Sequence, residues 1–221
     1  MTPVLSNSEH IPVPQRNNAD PLPSALASSL IDGITTEERL VVLDMGQAVS
    51  STIKYFSQYK CRLDFIDLYS EDFVLDPDEE MSHSQMVNLM RGAIKLQQSV
   101  KVDICLFWDI FSYLSDPLVK ALIESLKQHV DSSTRSLIIN PRDSRTMLPF
   151  YYYGISGPTL LTQSQRMGVQ PSIYPRSQRA LNDLIDYFVV DRGRLMSEGR
   201  AEYLLFKDND INSVNSSIGL R

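Results

Sequence analysis

Apolar residues along this chain fall into short uninterrupted runs separated by stretches of helical spacing. Runs at 40–43, 62–66, 102–108 and 136–139 are continuously apolar or nearly so, as expected of strands buried on both faces of a parallel sheet. After Gly46, the residues Val49, Ile53 and Phe56 recur at helical spacing, and between 84 and 98 Met86, Met90, Ala93 and Ile94 do the same. The clearest helix is "SDPLVKALIESLKQHV", with Asp116 as candidate cap, Pro117 in the first turn where its missing N–H costs nothing, and Leu118, Leu122 and Leu126 along one face. Strands alternating with helices predict a doubly wound α/β sheet. The last two runs, 185–190 and 201–206, are joined through 192–200, with Gly193 and Gly199. That connection is too short for a crossover helix, so these strands should pair antiparallel as a closing hairpin.

The ends read differently. Residues 1–23 hold Pro3, Pro12, Pro14, Pro21 and Pro23 without an apolar core, and read as a flexible leader. From Asp208 onward the chain is polar and aperiodic, a tail at 208–221. One domain, 24–207, lies between. A formal net charge of -6 argues against a nucleic-acid backbone as partner, which needs a concentrated Lys/Arg surface. No apolar stretch approaches the ~18 residues of a membrane helix, so the expectation is a soluble, cytoplasmic protein without a membrane partner. Cys61 and Cys105 sit in or beside apolar runs with no CxxC or Cys/His cluster. They read as small buried hydrophobes, and no metal is expected.

The order of elements, with Asp-x-Gly closing the first strand in "VVLDMGQAVS", resembles the Rossmann-like (class I) S-adenosylmethionine-dependent methyltransferases over roughly residues 25–207. "LDFIDLY" looks like the family's second strand, "DICLFWDIFSYLSDPLVKALIESL" its fourth strand and following helix, and "GRAEYLLFK" its last strand. The resemblance implies a methyltransferase-like three-layer sandwich with S-adenosylmethionine at the carboxyl edge of the sheet, where the loops diverge. It implies cofactor contacts from Asp44, Gly46, Ala48, Ser50, Asp67 and Leu68. Asp67, 21 residues beyond Gly46, stands near the ~20-residue spacing of a ribose-binding carboxylate. Asp109 and Tyr113 would face the transferring methyl group, and Tyr151, Tyr152 and Tyr153 would form a substrate lid or a protein-binding patch. Asp at a strand end also serves as a simple turn cap, which leaves a structural reading of Asp67 and Asp109 open.

Two departures alter the expectation. The loop is Gly-x-Ala-x-Ser where the family has Gly-x-Gly-x-Gly. Between the second and fourth strands, "YSEDFVLDPDEEMSHSQMVNLMRGAIKLQQSVKV" offers only 72–76 as a third strand, too close to the second for a full crossover. The adenine pocket is therefore unaccounted for. The acidic residues from Glu71 to Glu80 lack calcium-loop spacing and read as solvated charges before a helix. His83 and His129 read as surface or helix-end residues. Two functions follow: a methyltransferase acting on a small molecule or protein, or a non-catalytic interaction protein of the same fold that has lost the cofactor. A nicotinamide dehydrogenase fits less well, because the glycine fingerprint is poor.

Overall fold

The computed structural model describes residues 19–143, 145, 146 and 149–207. Its strands in chain order are β1 (Asp20–Pro23), β2 (Arg39–Asp44), β3 (Lys60–Phe65), β4 (Ile104–Trp108), β5 (Arg135–Pro141), β6 (Tyr151–Gly157), β7 (Leu160–Gln165), β8 (Phe188–Leu195) and β9 (Arg200–Lys207). Six of them form one sheet in the order β3-β2-β4-β5-β9-β8. The first four are parallel, and β9 runs antiparallel to both β5 and β8. This is the doubly wound sheet with a closing hairpin that the apolar runs predict. The chain leaves β2 for β3 on one side and returns as β4 on the other, so the switch point, where such sheets open a crevice, lies between β2 and β4.

The helices are α1 (Ser50–Phe56), α2 (Asp72–Leu75), α3 (His83–Ile94), α4 (Asp116–Leu126) and α5 (Gln178–Leu184). Helices α3 and α4 cover one face. The period of Leu118, Leu122 and Leu126 turns all three into the core at no more than 3% exposure, each contributing about 1.5–3 kcal/mol of burial. Ser82 and Gln85 close a capping box on α3. Asp116 does not cap α4: Ser115 holds the N-cap position, and the Asp116 carboxylate instead takes the guanidinium of Arg176 at 2.5 Å.

The opposite face carries α1, a 3-10 turn at Ala27–Leu30 and a three-stranded antiparallel sheet of order β1-β7-β6. Two apolar cores, one per face, complete a three-layer sandwich. Two expectations change here. Asp20–Pro23, assigned from the sequence to the leader, is a strand paired with β7, while residues 1–18 and the tail at 208–221 lie outside the described residues. The tyrosine run is no loop, because Tyr151, Tyr152 and Tyr153 open strand β6.

Between β3 and β4 the described chain contains no strand. It makes a 3-10 turn at Leu68–Ser70, then α2, then α3, so the segment 72–76 is a helical turn and β3 is the sheet edge. His83 pairs with Glu124 across α3 and α4 at 2.8 Å, and buried His129 holds the Val100 carbonyl at 2.9 Å. Cys105 is buried in β4, where burial pushes its thiol up to about 12.

Candidate functional site

Strand β2 ends on Asp44, whose side chain is 1% exposed. Its Oδ1 accepts the Gly46 N–H at 2.8 Å and the Trp108 indole N–H at 2.6 Å, while Oδ2 has no partner. Burial, opposed by those two bonds and by Arg166, lifts the Asp44 carboxyl to about 7. Gly46 is needed here for space: an added Cβ would stand 3.1 Å from Asp44 Oδ1 and 3.3 Å from the Trp108 ring. The small residue thus admits an indole of this chain.

Trp108 closes β4 with a φ of 53°, where the strand register shifts. A bulky side chain in the left-handed region costs about 1–3 kcal/mol and persists only where its surroundings hold it. Two contacts do so here: the Asp44 bond and a stack on Tyr153, centroids 5.6 Å apart and 16° from parallel. The next residue, Asp109, is also 1% exposed. Its carboxylate accepts the Tyr69 hydroxyl at 2.6 Å and the Tyr153 hydroxyl at 3.3 Å. Burial carries Asp109 up to about 6 against these bonds, and burial with the Asp109 charge pushes both phenols well above their usual range.

Arg166, just after β7, lies at the centre of this cluster, its side chain 4% exposed. The guanidinium donates to Asp67 Oδ1 at 2.7 Å and sits over the rings of Tyr69 at 4.3 Å, Tyr152 at 4.2 Å and Phe150 at 5.2 Å. Such a cation among aromatic faces, away from water, is held by about 2 kcal/mol or more. The other Asp67 oxygen accepts the Ser70 hydroxyl at 2.7 Å.

The sequence-predicted residues do not all meet in one place. Asp44, Gly46, Asp67, Asp109 and Tyr153 come together around Trp108 and Arg166. Ala48, Ser50, Tyr152 and Tyr153 instead line a hollow of about 280 Å³ between α1 and the β6–β7 hairpin. Leu68 and Tyr113 point into the core: both are fully buried, Tyr113 against Tyr69 and Phe150. Tyr151 packs beside Tyr153 and under the guanidinium of Arg200. Trp108, Arg166 and Tyr69 escape a sequence reading, because nothing local to "CLFWDI" or "SQRMG" signals that they converge.

The residues present do not fit S-adenosylmethionine in the way the resemblance implies. The chain segments that would part around it are stitched together, with Ile66, Asp67 and Leu68 N–H donating to the carbonyls of Asp44, Gly46 and Met45 at 2.9, 3.1 and 3.0 Å. The carboxylate expected at the ribose is the partner of Arg166. The first turn of α1, which would face the nucleoside, is covered by the hairpin: Ser51 Oγ meets Thr162 Oγ1 at 2.8 Å and Thr52 accepts the Ile155 N–H at 3.1 Å. A Cβ on Gly154 would lie 2.4 Å from Ser51 Oγ, so β6 rests directly on α1. A hollow of about 280 Å³ remains there.

No protein-family model matches this chain, and no curated protein matches it. Among solved structures it is similar to magnesium protoporphyrin IX methyltransferase (ChlM) from Synechocystis PCC 6803, determined with SAH bound. The identity is 12% and the TM-score 0.48, over 83% of this chain and 80% of that one. It is similar to the 1,6-didemethyltoxoflavin-N1-methyltransferase of Burkholderia thailandensis at 13% identity and a TM-score of 0.45, over 84% of this chain and 78% of that one. The pyocyanin biosynthetic protein PhzM aligns at 12% identity and a TM-score of 0.44 over 82% of this chain, which spans only 54% of that one. At these values the likeness carries no argument. The sheet order, parallel strands closed by an antiparallel hairpin, stands on the topology alone.

Proposed function

We propose that this methyltransferase-like protein is non-catalytic and works through its surfaces, its cofactor crevice being occupied by its own side chains. One observation carries the reading: Arg166 pairs with Asp67 and lies among Tyr69, Tyr152 and Phe150. A fixed internal cation there competes with any ligand for the carboxylate and for the aromatic faces alike. The indole of Trp108 over Gly46 and the direct bonds from 66–68 to 44–46 support the same reading.

Titration calorimetry with S-adenosylmethionine and S-adenosylhomocysteine tests it. No heat of binding is expected up to millimolar ligand. Micromolar binding that Asp67→Ala abolishes would overturn the proposal and restore a methyltransferase acting on a small molecule or a protein.

A further inference from the structure

A groove of about 640 Å³ runs between α2 and α3, on the side of the sheet where no strand follows β3. Its floor is apolar, built from Phe73 and Leu75 of α2, from Met81, and from Leu89 and Ala93 of α3. Through Phe73, Asp78 and Met81 it continues into a second hollow of about 230 Å³ beside Pro77 and Met86. The larger part alone lies within the range of ligand clefts, about 300–1,000 Å³. Leu89 is 40% exposed there, although Met86 and Met90 on the same helix are buried.

The rim is predominantly acidic. Glu71, Asp72, Asp76, Asp78 and Glu79 face Lys95 alone, and none of the five carboxylates makes an ion pair among the described residues. Nor does any group of three or more His, Cys, Asp or Glu among the described residues have the arrangement to hold a metal ion. Gly92 adds an independent observation. It stands inside α3 and lines the groove, yet a Cβ there would meet nothing within 4 Å. Glycine weakens a helix interior relative to alanine, and the packing of this fold does not call for it. What it provides is bare backbone beside Leu89 and Ala93, a surface that another chain can approach closely.

We propose that this groove docks a basic, apolar-anchored segment of a partner protein. Apolar side chains of that segment fill the floor between α2 and α3, and its Lys and Arg residues meet the acidic rim, which sets orientation and speeds encounter. The ends of this chain do not match that chemistry. Residues 1–18 carry Glu9, His10 and Arg16, and residues 208–221 carry Asp208, Asp210 and Arg221, with no basic surplus in either. A second copy, with a formal net charge of -6, is likewise disfavoured, and so are nucleic acids and anionic membranes. The inference goes beyond the function proposed above, because the groove shares no residue with the crevice at Gly46.

Panning a displayed library of random peptides, each about 15 residues long, on the full chain tests it. Enriched peptides are then synthesised, labelled and measured by fluorescence anisotropy. The expected winners carry about three or more Lys/Arg interleaved with Leu, Ile, Phe or Met. Their Kd should rise about tenfold or more with Gly92→Trp, which fills the groove, and with the neutral pair Asp76→Asn/Glu79→Gln. A Cβ at position 92 meets nothing within 4 Å, and an unchanged circular dichroism spectrum certifies that Gly92→Trp keeps the fold. No enrichment, enrichment without basic residues, or binding indifferent to Gly92→Trp would overturn the proposal. Binding of S-adenosylhomocysteine would overturn the non-catalytic reading and leave this one standing.

Discussion

The two faces of the central sheet are closed by different physics. On the α3/α4 face, helices present Leu, Met and Val at helical spacing to an apolar core, with Arg176 paired to Asp116 at the start of α4. On the α1 face, the three-stranded sheet is fastened by polar groups that meet over long sequence distances. Arg166 meets Asp67, Trp108 meets Asp44, and Glu202 receives the Ser24 hydroxyl at 2.5 Å and the Ala25 N–H at 2.6 Å. Buried Arg200 donates to Gln163 at 2.7 Å. Apolar packing tolerates approximate partners, whereas a buried charge tolerates only a correctly placed one. Both faces bury apolar area, and the α1 face adds buried polar pairs that join distant parts of the chain.

The contrast can be broken from either side. The largest effect is expected from Leu122→Ala on the apolar face, a loss of about 3–4 kcal/mol by chemical denaturation, nearly equal at pH 5 and pH 8. Arg166→Ala on the polar face should cost about 3 kcal/mol, because it strands Asp67 and removes the positive charge near Asp44 and Asp109. Unlike the leucine variant it should recover as pH falls, when Asp44 and Asp109 take up protons. An Arg166→Ala cost identical at both pH values would argue that the guanidinium acts by packing alone.

The next effect sharpens the comparison through pH. Asp44 and Asp109 are raised from 3.8 to about 7 and about 6 in the folded protein, so between those values the folded state binds more protons than the unfolded one. Their contribution is complete below about pH 4 and lost as pH climbs through 6 and 7. Stability should fall by about 2–3 kcal/mol from pH 5 to pH 8 on account of Asp44, and Asp44→Asn should flatten that part of the slope. Denaturant midpoints across this range measure it, and an unchanged slope in Asp44→Asn would place the titration elsewhere. The smallest effect is expected from Glu202→Gln, about 1 kcal/mol. Hydrogen exchange should locate it at the amides of Ala25 and Leu26, leaving α4 untouched.

This division also explains what was legible in the sequence. The parallel strands and α4 are written in local periodicity, and the closing hairpin follows from the short interval at 192–200; in the fold the strands reach further into it, leaving only 196–199 between β8 and β9. Strand β1 was hidden by Pro21 and Pro23, which read as a leader. Proline is nonetheless admissible at a sheet edge, which β1 forms beside β7. Of the candidate site, Asp44, Gly46, Asp67 and Asp109 were visible as strand-end residues, and they do converge. Their partners were not visible, because Arg166 stands 99 residues from Asp67 and Trp108 stands 64 from Asp44. A sequence shows that a carboxylate sits at a strand end; whether a ligand or a distant arginine satisfies it is decided only when the chain closes.

The position of β9 sets a timetable for making this protein. Strand β9 is the last among the described residues, yet it lies between β5 and β8, and it carries Glu202, whose bond to Ser24 spans 178 residues. During synthesis at about 5–20 residues per second, the segment around Ser24 waits roughly 10–35 s for its acceptor to emerge. Its apolar neighbours Leu22, Leu26 and Leu30, all buried in the finished fold, remain without the part of their core that β9 supplies for that interval. The segment around Ser24 thus stays open to chaperones and proteases until β9 arrives.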